Sequence, residues 1–237
     1  HVENGQHFFY FNGNLGAAYK NNRPEPNYSL GIRQKIAAEF ASEPDKEGNL
    51  GRQSTKDVIV VSQRSPDYYG ELGGSLFCGV FPGDGWSGRM EDSILQGCIP
   101  VIIQDGIQLP YENVLYYDSF AVRIAEDDIP SLIQILRGIN ETELEFKLAN
   151  VQKIWQRFLY RDSFMLEARR QNASYGRLDD WALQYSLLTE DDVLATFIQV
   201  LHYKLHNDPW RLKLSFKNKE FGLPKYCREN NSEGNRK

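Results

Sequence analysis

Cysteine is scarce in this sequence, basic charge is in deficit, and no long apolar run occurs; each of these shortages removes a class of protein. Cys78, Cys98 and Cys227 are the only three thiols. They cannot close an even framework, and their spacing fits no zinc pattern, so neither a disulfide-dense scaffold nor a sulfur-ligated metal is expected. Cys78 and Cys98 lie inside apolar runs, where a thiol commonly serves as a small buried hydrophobe. A bridge between those two is compatible with the sequence but not readable from it. The formal net charge of −5 argues against nucleic acid as a partner, because neutralising a phosphate backbone needs a basic face. Any phosphate must sit in a small local pocket. No stretch reaches the roughly 18 continuous apolar residues of a membrane span, and no apolar segment follows a charged start. No repeat of fixed period is present, and no Gly-x-Gly-x-x-Gly follows the first strand-like run, which counts against a dinucleotide-binding enzyme.

What is present is globular. Hydrophobic residues make up 41% and aromatics 13% of 237 residues, enough for one large domain or about one and a half ordinary ones. The chain opens on His1 rather than Met, close to a strand-like run, so it is read as a piece of a longer protein with room upstream for a membrane anchor or a partner domain. Asn27, Asn140, Asn172 and Asn230 each begin an Asn-x-Ser/Thr sequon, which together tilt the setting towards a secretory lumen.

Strand-like and helix-like segments alternate through the first half, the pattern of a parallel sheet covered by helices. His7–Phe11 reads as a strand closed by the Asn12-Gly13-Asn14 turn, and Ser29 as the cap of a helix over 30–40 carrying Ile32, Ile36, Ala37 and Phe40 at helical spacing. Residues 42–56 read as an exposed loop. The run 57–62 suits a strand buried on both faces; 75–81 and 99–103 are further strands, and 118–124 another. Helices are expected over 129–139, opened by Asp127 and Asp128, over 141–160 and over 180–205. Residues 1–206 are read as one domain with additional C-terminal helices, and 207–237 as a polar tail with a disordered end.

The chemistry concentrates between Phe77 and Pro100. A strand leads into Pro82-Gly83-Asp84-Gly85-Trp86-Ser87-Gly88, then into a helix beginning near Arg89, then into the strand of Ile99. Gly83, Asp84 and Gly85 form a loop whose backbone N–H groups can approach an anion, and the following helix aims its positive end at the same spot. Arg89, Asp92 and Ser93 stand at i, i+3 and i+4, and so are expected on one ligand-facing side while Met90, Ile94 and Leu95 point to the core. A cation in the first turn opposes the helix dipole, which an adjacent anionic ligand would offset.

The block Ser75-Leu76-Phe77-Cys78, Pro82-Gly83-Asp84, Arg89 with an acid three places on, and Gly97-Cys98-Ile99-Pro100-Val101-Ile102 resembles exostosin-type, family-47 glycosyltransferases, with the likeness continuing through Leu109-Pro110 and Phe120-Ala121-Val122. Phe11 to Gly13, the helix of Arg33, and Trp155 to Tyr160 extend it over roughly residues 7–160. The resemblance implies an α/β, Rossmann-like parallel sheet flanked by helices, one half of a GT-B fold: the donor-binding domain of an enzyme that moves a sugar, usually from a UDP-sugar, to a glycan acceptor with inversion. It implies no cofactor and no metal, and a setting on the lumenal side of the Golgi membrane. Arg89 and the loop amides would stabilise the departing diphosphate, and Asp92, where the family commonly has Glu, would accept from the ribose.

Arg33 is a further candidate for the diphosphate. Arg64 is another, just past a strand end where ligands of open α/β sheets bind. Tyr68 or Tyr69 could pack near the base, and Glu112 reads as a helix-start acid. His7, His202 and His206 are not assigned as a base, so the catalytic base is left unassigned, to an acceptor domain upstream. The competing reading is a non-catalytic scaffold subunit of a glycan synthase complex, homo- or hetero-oligomeric.

Overall fold

The computed structural model describes residues 7–19, 28–85, 87–176, 184, 188 and 190–206. Five strands follow from the apolar runs: β1 (His7–Asn12), β2 (Val58–Val61), β3 (Ser75–Val80), β4 (Ile99–Ile102) and β5 (Val122–Arg123). All pair in parallel, in the order β2-β1-β3-β4-β5. Helices α1 (Ile32–Phe40), α2 (Tyr68–Gly73), α3 (Arg89–Leu95) and α4 (Leu132–Arg137) serve as the crossovers and the cover of this Rossmann-like sheet. Three more follow: α5 (Glu141–Ile154), α6 (Arg161–Tyr175) and α7 (Val193–His206). Among the described residues no helix is long and apolar enough to cross a membrane.

The chain divides into two compact units: His1–Leu109 with Tyr117–Gln152, and Pro110–Tyr116 with Lys153–Lys237. The first holds the sheet. Phe9, Phe11, Phe77 and Phe81 are buried in it, as are Ile32, Ile36 and Phe40 of α1. Tyr10 and its register partner Cys78 point to the other face, where they cluster with Leu72 of α2, Cys98 and Tyr68. In the second unit, buried Arg157 donates to Gln199 Oε1 (2.8 Å) and pairs with Asp191 Oδ2 (2.7 Å), tying the residues that precede α6 to α7.

Several sequence expectations are corrected. Ser29 caps nothing: it is buried in a 3-10 turn, Tyr28–Gly31, in which Ser29 and Leu30 have φ of 57° and 52°. The helix therefore starts at Ile32, behind a left-handed Gly31. Strand β2 is half-buried, alternating rather than covered on both faces, because it is the sheet edge. The strand expected over 118–124 shrinks to two residues, since Tyr117–Ser119 turn into a 3-10 helix. Pro130 sits in a 3-10 turn, Glu126–Ser131, so the next α-helix begins only at Leu132. The helix from Glu141 stops at Ile154 and tightens into a 3-10 turn, Trp155–Phe158. The segment 190–192 is not helical, and Asp192 Oδ1 caps α7 by accepting from Ala195 N–H (3.0 Å). Of the helix expected over 180–205, residues 193–205 are in α7, residue 184 is helical and residue 188 is not; its other residues before 190, and the tail 207–237, lie outside the described residues. Helices α2 and α6 had no counterpart in the sequence reading.

Cys78 and Cys98 form a disulfide, their Cα atoms 5.9 Å apart. It joins β3 to the residue before β4 and so encloses the whole loop and helix between them. Closing a loop of 20 residues stabilises the fold by about 3 kcal/mol through the unfolded chain's lost freedom. Replacing both cysteines by alanine should lower the denaturant midpoint accordingly, as measured by equilibrium unfolding; an unchanged midpoint would show that the bridge adds nothing.

Candidate functional site

The order of the strands fixes where a ligand can bind. Leaving β1, the chain crosses to β2 on one side; leaving β3, it crosses to β4 on the other. The two connections diverge and open a crevice beyond the carboxyl ends of β1 and β3, the switch point at which open α/β sheets hold ligands.

Two arginines converge there. Arg89, the first residue of α3, donates from Nε and Nη2 to the Asn12 carbonyl oxygen at the end of β1 (2.9 and 2.7 Å). Arg33, from α1, donates from Nη2 to the Phe81 carbonyl oxygen just past β3 (3.0 Å) and from Nη1 to Tyr28 Oη (2.6 Å). Both guanidiniums face the ring of Phe11, at 5.4 Å for Arg33 and 5.1 Å for Arg89. Tyr28 offers Arg33 a second ring at 5.2 Å. Neither arginine forms an ion pair with a carboxylate among the described residues. Arg33 is 3% exposed, and its Nε is buried without an acceptor. Burial first, and the neighbouring Arg89 charge second, pull its pKa down to about 10.

Gly13 makes the approach of Arg89 possible. A Cβ at Gly13 would lie 2.8 Å from Arg89 Cζ, so only glycine leaves room for the guanidinium over the end of β1. Gly83 brings the loop against the other cation: a Cβ there would stand 3.4 Å from Arg33 Nη2 and 3.5 Å from Tyr28 Oη. Gly83 N–H donates to the Gly85 carbonyl (3.1 Å). Gly83, Gly85 and Gly88 keep φ in the ordinary negative range, and a Cβ at Gly85 or Gly88 would meet nothing. These last two mark open space beside the crevice rather than a forced turn. Asp84 is exposed on the loop and close enough for its charge to act on Arg33.

The other expected site residues divide. Asp92 is half-buried and accepts from Tyr68 Oη at 3.2 Å; burial raises its pKa, against the hydrogen bond from Tyr68 and the charge of Arg89. Burial likewise pushes Tyr68 up to about 12. Tyr69 is exposed and edge-on to Tyr68, ring centroids 5.3 Å apart. Ser93 is not on the ligand side. It is fully buried, and its hydroxyl donates to the Arg89 carbonyl one turn back (2.6 Å), which satisfies it inside the core. Leu95, expected in the core, is half-exposed. Arg64 stands exposed beyond β2, without a hydrogen bond to the arginine pair. His7 is at the amino end of β1, the opposite edge of the sheet.

Phe11, Tyr28 and the Asn12 carbonyl were missing from the sequence reading; the aromatic end of β1 followed by Gly13 was the signal available. The family model described as Exostosin GT47 domain matches residues 3–139, more than half of the chain. The chain belongs to the exostosin GT47 family. The match contains the crevice and ends ahead of the Trp155–Tyr160 stretch. A probable glucuronosyltransferase of Oryza sativa subsp. japonica is 41% identical over 93 residues, covering 38% of this chain and 21% of the relative. A second rice protein, the probable glucuronosyltransferase GUT1, is 33% identical over 138 residues (56% and 29%). The probable beta-1,4-xylosyltransferase IRX10 of Arabidopsis thaliana is 32% identical over 138 residues (56% and 29%). This exostosin GT47 chain thus spans less than a third of the length of these relatives.

One titrating group beside the site was not foreseen. Glu91 lies next to Asp92 on α3 with its Oε2 buried and without a partner, and burial, with the Asp92 charge adding to it, raises its pKa from 4.5 to about 7. Between those values the folded chain holds a proton that the unfolded chain has released. Stability therefore falls as pH rises through that window and levels off above it. Glu91→Gln should flatten this slope and stabilise the protein above neutrality, read from denaturant midpoints at acid and alkaline pH; an identical slope in the variant would remove Glu91 as its source.

Proposed function

We propose that this chain is the donor-binding domain of an inverting glycosyltransferase, holding the diphosphate of a UDP-sugar in the crevice between β1 and β3. The observation that carries the reading is the pair Arg33 and Arg89: two cations on one aromatic ring, one nearly buried, with no carboxylate among the described residues paired to either. Such a pair repels itself, and an anion relieves it. A diphosphate accepts hydrogen bonds in the fork geometry that guanidinium offers. The relatives named as glucuronosyl- and xylosyltransferases support a sugar nucleotide as that anion.

In the proposed reaction an acceptor hydroxyl oxygen attacks the anomeric carbon from the face opposite the diphosphate, so the configuration inverts. The carbon–oxygen bond to the diphosphate breaks, and UDP leaves with the electron pair. Arg33, Arg89 and the amides of the glycine loop beyond Gly83 neutralise the charge that develops on it, in the role a metal plays elsewhere. Asp92, steadied by Tyr68, accepts from a ribose hydroxyl. The base that takes the acceptor's proton, and the groups that hold the glycan acceptor, are assigned to a domain other than this one. The buried disulfide supports an oxidising compartment, which suits the Golgi lumen. A second reading, a non-catalytic scaffold, draws on Asp92 already being engaged by Tyr68. UDP-sugar turnover by the full-length protein, with transfer to an oligosaccharide, would dismiss it.

Titration calorimetry with UDP tests the donor site. Arg89→Ala should weaken UDP about tenfold to a hundredfold, the loss of one charged hydrogen-bonding partner. Gly13→Ala should weaken it through displacement of Arg89, while circular dichroism stays native. UDP affinity indifferent to both changes would overturn the assignment.

A further inference from the structure

Two of the four sequon asparagines, Asn140 and Asn172, fall among the described residues. Asn140 has the more informative setting. Asn140 and Thr142 of the Asn140-Glu141-Thr142 sequon are both exposed. The Asn140 side chain caps α5: Oδ1 accepts from Glu143 N–H at 2.9 Å, and the Asn140 carbonyl accepts from Leu144 N–H at 3.0 Å. The cap uses only the amide oxygen. Among the described residues Nδ2 donates to no acceptor. Modification at Nδ2 leaves the carbonyl, and hence the cap, in place.

The surroundings of this corner show which way it faces. Arg137, the last residue of α4, pairs with Asp57 (2.6 Å), which immediately precedes β2, and lies over the Phe8 ring (4.4 Å) near the start of β1. The turn from α4 to α5 is therefore at the amino edge of the sheet. Arg33 and Arg89 are at the carboxyl edge, attached to Phe81 and Asn12. The buried Cys78–Cys98 bridge independently points to folding in an oxidising compartment, where sequons meet their modifying enzyme.

We propose that Asn140 carries an asparagine-linked oligosaccharide, at the sheet edge opposite the arginine pair. In the transfer, Nδ2 forms a bond to the anomeric carbon of a lipid-diphosphate-linked oligosaccharide. The bond from that carbon to the diphosphate oxygen breaks, the lipid diphosphate leaves with the electron pair, and Nδ2 gives up one proton. A glycan there requires this corner to face solvent, as it does in this chain.

The test is peptide mapping by mass spectrometry of the full-length protein from a eukaryotic secretory host, before and after peptide-N-glycosidase. The Asn140 peptide should carry a glycan that the enzyme removes, leaving aspartate. Thr142→Ala should abolish it while the Asn140 cap, the thermal midpoint and UDP affinity stay unchanged. Recovery of an unmodified Asn140 peptide from protein whose Cys78–Cys98 bridge is intact would overturn the proposal. So would a loss of UDP affinity in Thr142→Ala, which would deny the opposite-edge placement. The glycan measurement does not depend on donor binding, so it stands or falls apart from the proposed function.

Discussion

Two like charges sharing one aromatic ring is the constraint around which the sheet's carboxyl edge is arranged. Phe11 is fixed at the end of β1, and guanidiniums arrive at it from α1 and from α3. Backbone carbonyls at the ends of two neighbouring strands, Asn12 and Phe81, take the donors that a carboxylate would otherwise neutralise. A carbonyl orients a cation without cancelling its charge. The positive potential at the crevice therefore survives, despite a chain that is acidic as a whole.

The same arrangement explains several residues that look unrelated in the sequence. Gly13 is small because Arg89 lies over it. Tyr28 precedes the left-handed Ser29–Leu30–Gly31 corner, which brings its hydroxyl to Arg33. That corner carries positive φ at two residues with side chains, a conformation costing of order 1 kcal/mol each. Beside the crevice, the Tyr68–Asp92 and Tyr10–Glu71 pairs tie α2 to α3 and to β1.

How much the sequence disclosed depended on what each feature is made of. Strands β1 to β4 were legible to within about a residue, because each lies in a run dominated by apolar residues, which carries its own signal even where, as in β2, only one face is covered. β5 was not, since the 3-10 turn Tyr117–Ser119 takes up the start of that run. The start of α1 was misplaced because Ser29 has the composition of a cap but sits in a turn whose dihedrals no propensity predicts. Arg33, Arg89 and Gly83 were legible as candidates, whereas the part played by Phe11 was not: an aromatic at a strand end is indistinguishable from core until two cations are found on it. Ser93 failed for a related reason. Helical spacing tells which residues share a side, but a hydroxyl that satisfies itself on its own helix can be buried at no polar cost, and spacing does not record that.

The Cys78–Cys98 bridge has a mechanical side. Because it fastens the chain where it leaves β3 and again where it re-enters the sheet, the glycine loop and α3 belong to a closed covalent hoop. Within that hoop Gly85 and Gly88 are the glycines whose surroundings leave room for a side chain, so the loop keeps local freedom between two fixed ends. The segment cannot be peeled away from the sheet while its two feet stay fastened.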